Sequence, residues 1–140
     1  MNWLLDTCAL SEYIKKSPSD EVIRWLDEQP ESTLFISVIS LGEIEKGIIK
    51  LHYSDAKRSK KLTAWFGKLE QRFVDRTLPL DAAVLRTWAD LSANAELQGR
   101  KLPVMDALLI ATAQRHGLTI VTRNVQDFSL FPHVYNPWVL

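Results

Sequence analysis

The chain has 140 residues, 46% hydrophobic and 24% charged, which suits one domain over residues 1–140 with a substantial core. Lys plus Arg and Asp plus Glu number 17 each, so the net charge is zero and no global field draws in nucleic acid; any such contact needs a local patch. A lone cysteine, Cys8, excludes an internal disulfide and a cysteine-built zinc site, no apolar run is long enough for a membrane, and no basic-then-apolar leader opens the chain, so a cytoplasmic setting is expected.

The first stretch is the most informative. Trp3-Leu4-Leu5 reads as a buried strand, and it ends on an acid, Asp6. A carboxylate at a buried strand tip is costly unless compensated, and in open α/β sheets ligands bind beyond those tips. Asp6 therefore has two readings: cap of the following helix, or ligand of a cation shared with distant acids. Thr7 to Lys16 reads as that helix, with Leu10, Tyr13 and Ile14 on one face, and Ser17-Pro18 breaks it. Cys8 reads as packing, with nothing in the adjacent sequence to mark a reactive thiolate. Ser19 caps a second helix that carries Val22, Ile23, Trp25 and Leu26.

Thr33 to Ile36 is a second strand, ending at Ser37, and Val38 to Ile49 repeats its apolar residues at helical spacing. Gly42 and Gly47 weaken that helix and suggest close approach of another backbone. Asp55 opens a polar helix to about Phe73, with Lys57, Lys61 and other cations on one face and Leu62, Trp65, Phe66 and Leu69 on the other. Its cations are a solvated face, or a rim that touches a phosphate backbone or a partner.

Arg76 to Leu80 is a short extended piece. Asp81 caps a helix that ends before Gly99, and Arg100-Lys101 is an exposed turn. Pro103 starts a helix that is apolar nearly all round and closes at His116-Gly117. Leu118 to Val121 is a strand with Thr122-Arg123-Asn124 as its exit loop, Val125 to Leu130 a turn or short helix, and Val134-Tyr135 a last edge strand. Strands alternating with helices imply a parallel sheet of four to five strands with helices on both faces, an α/β/α sandwich.

Three acids lie on these apolar elements: Asp6, Glu43 and Asp106. Each has a local explanation. Asp6 can cap, Ser40-x-x-Glu43 matches a capping box, and Asp106 complements a helix N-terminus. Jointly, all three can meet at one rim of one sheet, where uncompensated carboxylates would repel. A hard cation removes the conflict, and oxygen-only ligands select Mg²⁺ or Mn²⁺ over zinc. Asn124 and Asp127 follow the last main strand and can each offer an oxygen, although Asn and Asp also favour turns there.

Leu4-Leu5-Asp6-Thr7, Ser37-Val38 to Gly42-Glu43-Ile44, Pro103 to Ala113, and Val121-Thr122-Arg123-Asn124 to Asp127-Phe128 together resemble the PIN-domain family, and within it the VapC/FitB type of toxin ribonuclease. The resemblance covers almost the whole chain in order. It implies a metal-dependent nuclease fold, a toxin role, an RNA substrate, a homodimer, and a small DNA-binding antitoxin that blocks the site. Asp6, Glu43 and Asp106 correspond to the family's acidic core. Relatives often carry a fourth acid where this chain has Asn124, which leaves open whether Asn124 or Asp127 completes the site. Thr7 and Thr122 are polar neighbours suited to orienting a ligand, and Arg123 with Lys57 and Lys61 to holding RNA. The chain is Trp-rich, and Trp65 with Phe66 is expected to help form an apolar groove for the partner or the second subunit. Rival readings are a phosphatase with a strand-tip Asp nucleophile, a non-catalytic binding module and a housekeeping RNA-processing nuclease. The first ranks low because Cys8 stands where a second acid would be needed.

Overall fold

The computed structural model describes residues 1–139. Five parallel strands run in the order β3-β2-β1-β4-β5, with β1 at Trp3–Leu5, β2 at Leu34–Ser37, β3 at Thr77–Leu78, β4 at Thr119–Val121 and β5 at Val134–Tyr135. From β1 the chain steps outward to β2 and β3, then returns across the sheet to β4 and β5. The direction of winding reverses at β1, so β1 and β4 lie side by side while their following segments part. A crevice at the carboxyl ends of two such strands is where open α/β sheets place their ligands.

Among the described residues the α-helices are α1 (Thr7–Ser11), α2 (Asp20–Glu28), α3 (Val38–His52), α4 (Ala56–Arg72), α5 (Ala82–Leu97) and α6 (Val104–His116). They divide between the two faces as strand alternation requires. Leu5, Leu34, Ile36 and Val121 point into a core shared with α1 to α4. Leu4, Phe35 and Ile120 point the other way, into a core with Leu109, Ile110 and Ala113 of α6. The predicted three-layer α/β/α sandwich is thus formed, with five strands. No helix among the described residues is long and apolar enough to cross a membrane.

Several local features differ from the sequence-based expectation. The first helix is α-helical only to Ser11, and Glu12–Ile14 tightens into a 3-10 turn. That turn carries Glu12 inward to 2% exposure, where its Oε1 accepts the Ser19 amide at 2.8 Å. The cap of α3 is Ser37, whose side chain accepts from Ile39 N. The expected Ser40–Glu43 capping box therefore does not form: α3 starts three residues too early for it. Ser40 is buried and its Oγ has no hydrogen-bond partner among the described residues. A Cβ at Gly42 or Gly47 would meet nothing within 4 Å, so among the described residues no other element's backbone packs against them. Phe66 belongs to the core and is not available to a partner groove; packing of α4 on α3 turns it inward.

Among the five tryptophans, Trp3 and Trp25 meet edge to face at 4.9 Å. Tyr135 lies 5.0 Å from Trp25, so aromatic contact ties the last strand to α2 and β1.

Candidate active site

Asp6 follows β1 directly and is 7% exposed. It does cap α1: its Oδ1 accepts the Ala9 amide at 2.9 Å. The cap uses one oxygen. Oδ2 accepts the Cys8 thiol at 3.1 Å, the same thiol lying 2.8 Å from Oδ1. Burial holds the Asp6 carboxyl above the ordinary range, against the pull of hydrogen bonds from Cys8, Thr122 and Ala9. Capping and ligand duty are therefore compatible in this side chain.

Cys8 is half-buried and serves as a link, a correction to its reading as packing. Its sulfur accepts the Arg123 amide at 3.4 Å and lies 3.8 Å from Thr122 Oγ1. It thus joins the exit of β1 to the exit of β4. Burial and the Asp6 charge push its thiol up to about 12, so it stays protonated and donates to Asp6 rather than acting as a nucleophile.

Glu43 sits on the exposed side of α3. Thr7 donates from Oγ1 to its Oε1 at 2.8 Å, bringing the second acid to the start of α1. Asp106 lies in the first turn of α6, where the helix dipole favours an acid. Its carboxyl is nevertheless raised, first by burial, then by the charges of Asp127, Glu43 and Asp6. Three acids from three other elements therefore act on Asp106. Asp127 and Asp106 both line one cavity of about 430 Å³.

The other predicted residues fall as follows. Thr122 is fully buried and accepts the Asn124 amide at 3.0 Å, which shapes the loop. Asn124 lines a smaller recess with Arg123 and Asp127, and its carbonyl accepts the Asp127 amide at 3.0 Å. Lys57 and Lys61 are exposed on α4 and line neither cavity that contains Glu43 or Asp106. Trp65 is partly buried and lines a groove of about 320 Å³ with Tyr13, Lys68, Leu69 and Arg72. Sequence reasoning missed Lys46 and Lys50, which line a groove of about 500 Å³ with Glu43 and Met105. Their signal was present: Glu43, Lys46 and Lys50 share one helical stripe.

Among the described residues, no three His, Cys, Asp or Glu side chains are arranged to hold a metal ion by themselves. The donor set is nonetheless oxygen-rich and self-repelling, which suits a hard cation that completes its shell with water.

An open parallel sheet with an acidic, cation-seeking rim at its switch point defines a class of α/β protein. The family model described as PIN domain matches residues 3–133, and the chain belongs to that family. It is 31% identical to Toxin FitB of Neisseria gonorrhoeae over 96% of this chain and 97% of that one. It is also 31% identical to VapC ribonuclease Y4jK of Sinorhizobium fredii over 96% of each. Among solved structures, FitAB bound to an IR36 DNA fragment matches with TM-score 0.88 and 29% identity, covering 99% of this chain and 96% of that one.

Proposed function

We propose that this chain is a divalent-metal-dependent endoribonuclease and the toxin of a toxin–antitoxin pair, working as one PIN domain. The carrying observation is the placement of Asp6 at the carboxyl end of β1, with Thr7 tying Glu43 to the start of α1 and Asp106 sharing one cavity with Asp127. The names of the relatives, a VapC ribonuclease and a FitB toxin, supply the substrate class and the biological role. A small DNA-binding antitoxin and a second copy of the chain are the proposed partners.

Asp6 and Asp106 would hold Mg²⁺ or Mn²⁺, with Glu43 assisting and Asp127 rather than Asn124 as the fourth oxygen donor, because Asp127 lines the same cavity as Asp106 and Asn124 does not. When bound, the ion supplies Lewis acidity toward water and the phosphoryl oxygens. The chain's own residues do the rest. Ala9 and Cys8 fix the Asp6 carboxylate, and Thr7 fixes Glu43, so the oxygens are oriented before RNA arrives. No covalent nucleophile is required, and the protonated Cys8 offers none.

Asp6→Asn and Asp106→Asn test this reading in a metal-dependent RNA cleavage assay, where each should lose at least about 100-fold in rate. Wild-type cleavage by both variants removes the site assignment. Asn124, standing where relatives often have an acid, favours a second reading: a PIN scaffold that binds without cleaving. Absence of a thermal shift with Mn²⁺ together with absence of cleavage would select it.

A further inference from the structure

The cavity beside Asp106 is not explained by metal binding alone. It lies between the α5–α6 turn and the 3-10 turn Val125–Phe128, holds about 430 Å³, and is lined by Arg100, Lys101, Asp106, Gln126 and Asp127. That volume falls in the range of sites that enclose a small molecule, about 300–1,000 Å³. The α5–α6 turn is fixed: Gly99 takes φ +75 and the Arg100 amide donates to Ala95 O at 2.8 Å. Arg100 and Lys101 line the same cavity as the two acids. Among the described residues the ion pairs are Lys15–Glu12, Arg72–Glu31 and Arg76–Glu31, so Arg100 and Lys101 are free to bind an anion.

This pairing of charges poses a problem that a nucleic-acid strand solves. Asp106 and Asp127 repel the phosphates flanking any phosphodiester brought to the rim, and cations beside them offset that repulsion. Leu102 and Leu130 add apolar surface to the cavity, and Gln126 offers an amide donor and acceptor. Apolar surface can cover a base, and an amide can hydrogen-bond its free pairing edge.

We propose that this cavity receives one unpaired nucleotide next to the scissile phosphate, with Arg100 and Lys101 gripping its backbone and Gln126 reading its base. The proposal rests on the ribonuclease reading above. It makes the α5–α6 turn a determinant of substrate affinity and Gln126 a determinant of cut-site preference.

The test uses single-stranded oligoribonucleotides, steady-state kinetics across a salt series, and mapping of the cleaved ends. Arg100→Ala/Lys101→Ala should raise KM roughly tenfold with kcat held within about twofold. The slope of log(kcat/KM) against log salt should flatten by roughly 1.4, the value for two lost phosphate contacts on a single strand. Gln126→Ala should change the base preferred beside the cut. An unchanged KM, a loss confined to kcat, or a cut-site map unaltered in Gln126→Ala overturns the proposal. Wild-type protein that cleaves no RNA sinks the ribonuclease reading and this proposal with it; wild-type cleavage with unresponsive variants sinks this proposal alone.

Discussion

Thr7 Oγ1 donates to Glu43 Oε1 at 2.8 Å, a bond between residues 36 apart in sequence. It ties the start of α1 to the exposed face of α3 and holds Glu43 against the residue that follows Asp6. Without it, a glutamate on an exposed helical face has several rotamers to choose from, and ordering it costs entropy. Thr7→Val keeps the branched shape and removes the donor. It should lower kcat about tenfold with little change in thermal stability, and Thr7→Ser should restore most of the rate. Equal activity in all three proteins would mean that Glu43 needs no positioning.

The acid rim should also be visible without any reaction. Asp106 is raised above the ordinary range by burial and by three neighbouring acids. A carboxyl whose folded pKa exceeds its unfolded value binds more protons in the folded state, so its cost appears as pH rises through the folded value. In chelator-treated protein, Asp106→Asn should therefore melt higher than wild type at neutral pH, by about 1–2 °C given the partial exposure. The gap should close as pH falls to the ordinary carboxylate range. Mn²⁺ should reverse the order by stabilising wild type and not the variant. A variant that melts lower than wild type under chelation would show that no repulsion is stored there.

Much of the fold was legible because the strands are short apolar runs ended by polar residues, and helices with clear faces separate them. Asp6, Glu43 and Asp106 stood out as acids on apolar elements. Helix register was harder to read. Ser37 and Ser40 are both plausible caps, and only the end of β2 at Ser37 decides between them. Whether Phe66 faces inward depends on how α4 rotates against α3, which local pattern does not fix. Cys8, Arg100 and Gln126 acquire meaning from contacts between elements far apart in sequence, and no local spacing announces those.

Glu12 is the clearest case of a buried charge that the sequence concealed. Its Oε1 takes the Ser19 amide at 2.8 Å and its Oε2 pairs with Lys15 at 2.9 Å. Burial works to raise its carboxyl, but the Ser19 amide and Lys15 prevail and hold it below the ordinary range. A depressed folded pKa gives stability that is present above the unfolded value and lost as pH falls through the folded one. Glu12→Ala leaves the cap of α2 without this acceptor and should cost about 1–3 kcal/mol at pH 7. That penalty should shrink in acid, as wild type loses the same contribution. Urea titration at pH 7 and pH 3 checks both statements, and a penalty independent of pH would assign the loss to packing alone.

With Phe66 buried, the partner surface narrows to Trp65 and its neighbours Tyr13, Lys68, Leu69 and Arg72, around a groove of about 320 Å³. A half-buried indole beside cations is the type of side chain that anchors an apolar or acidic segment of another protein, since such anchors join large contact area to a polar handle. Trp65 also packs on the core of α1 to α4, so truncation alone would confound docking with stability. Trp65→Phe keeps most of that packing and removes the larger ring and its N–H. It should weaken the antitoxin complex by about tenfold or more, while RNA cleavage by the free toxin stays within about twofold of wild type. Sedimentation of the free variant tests the other occupant, a second copy of this chain: loss of self-association there would give the groove to the dimer. A complex that keeps its full affinity would move antitoxin docking elsewhere, and the groove of about 500 Å³ beside Glu43 and Met105 would become the surface to test next.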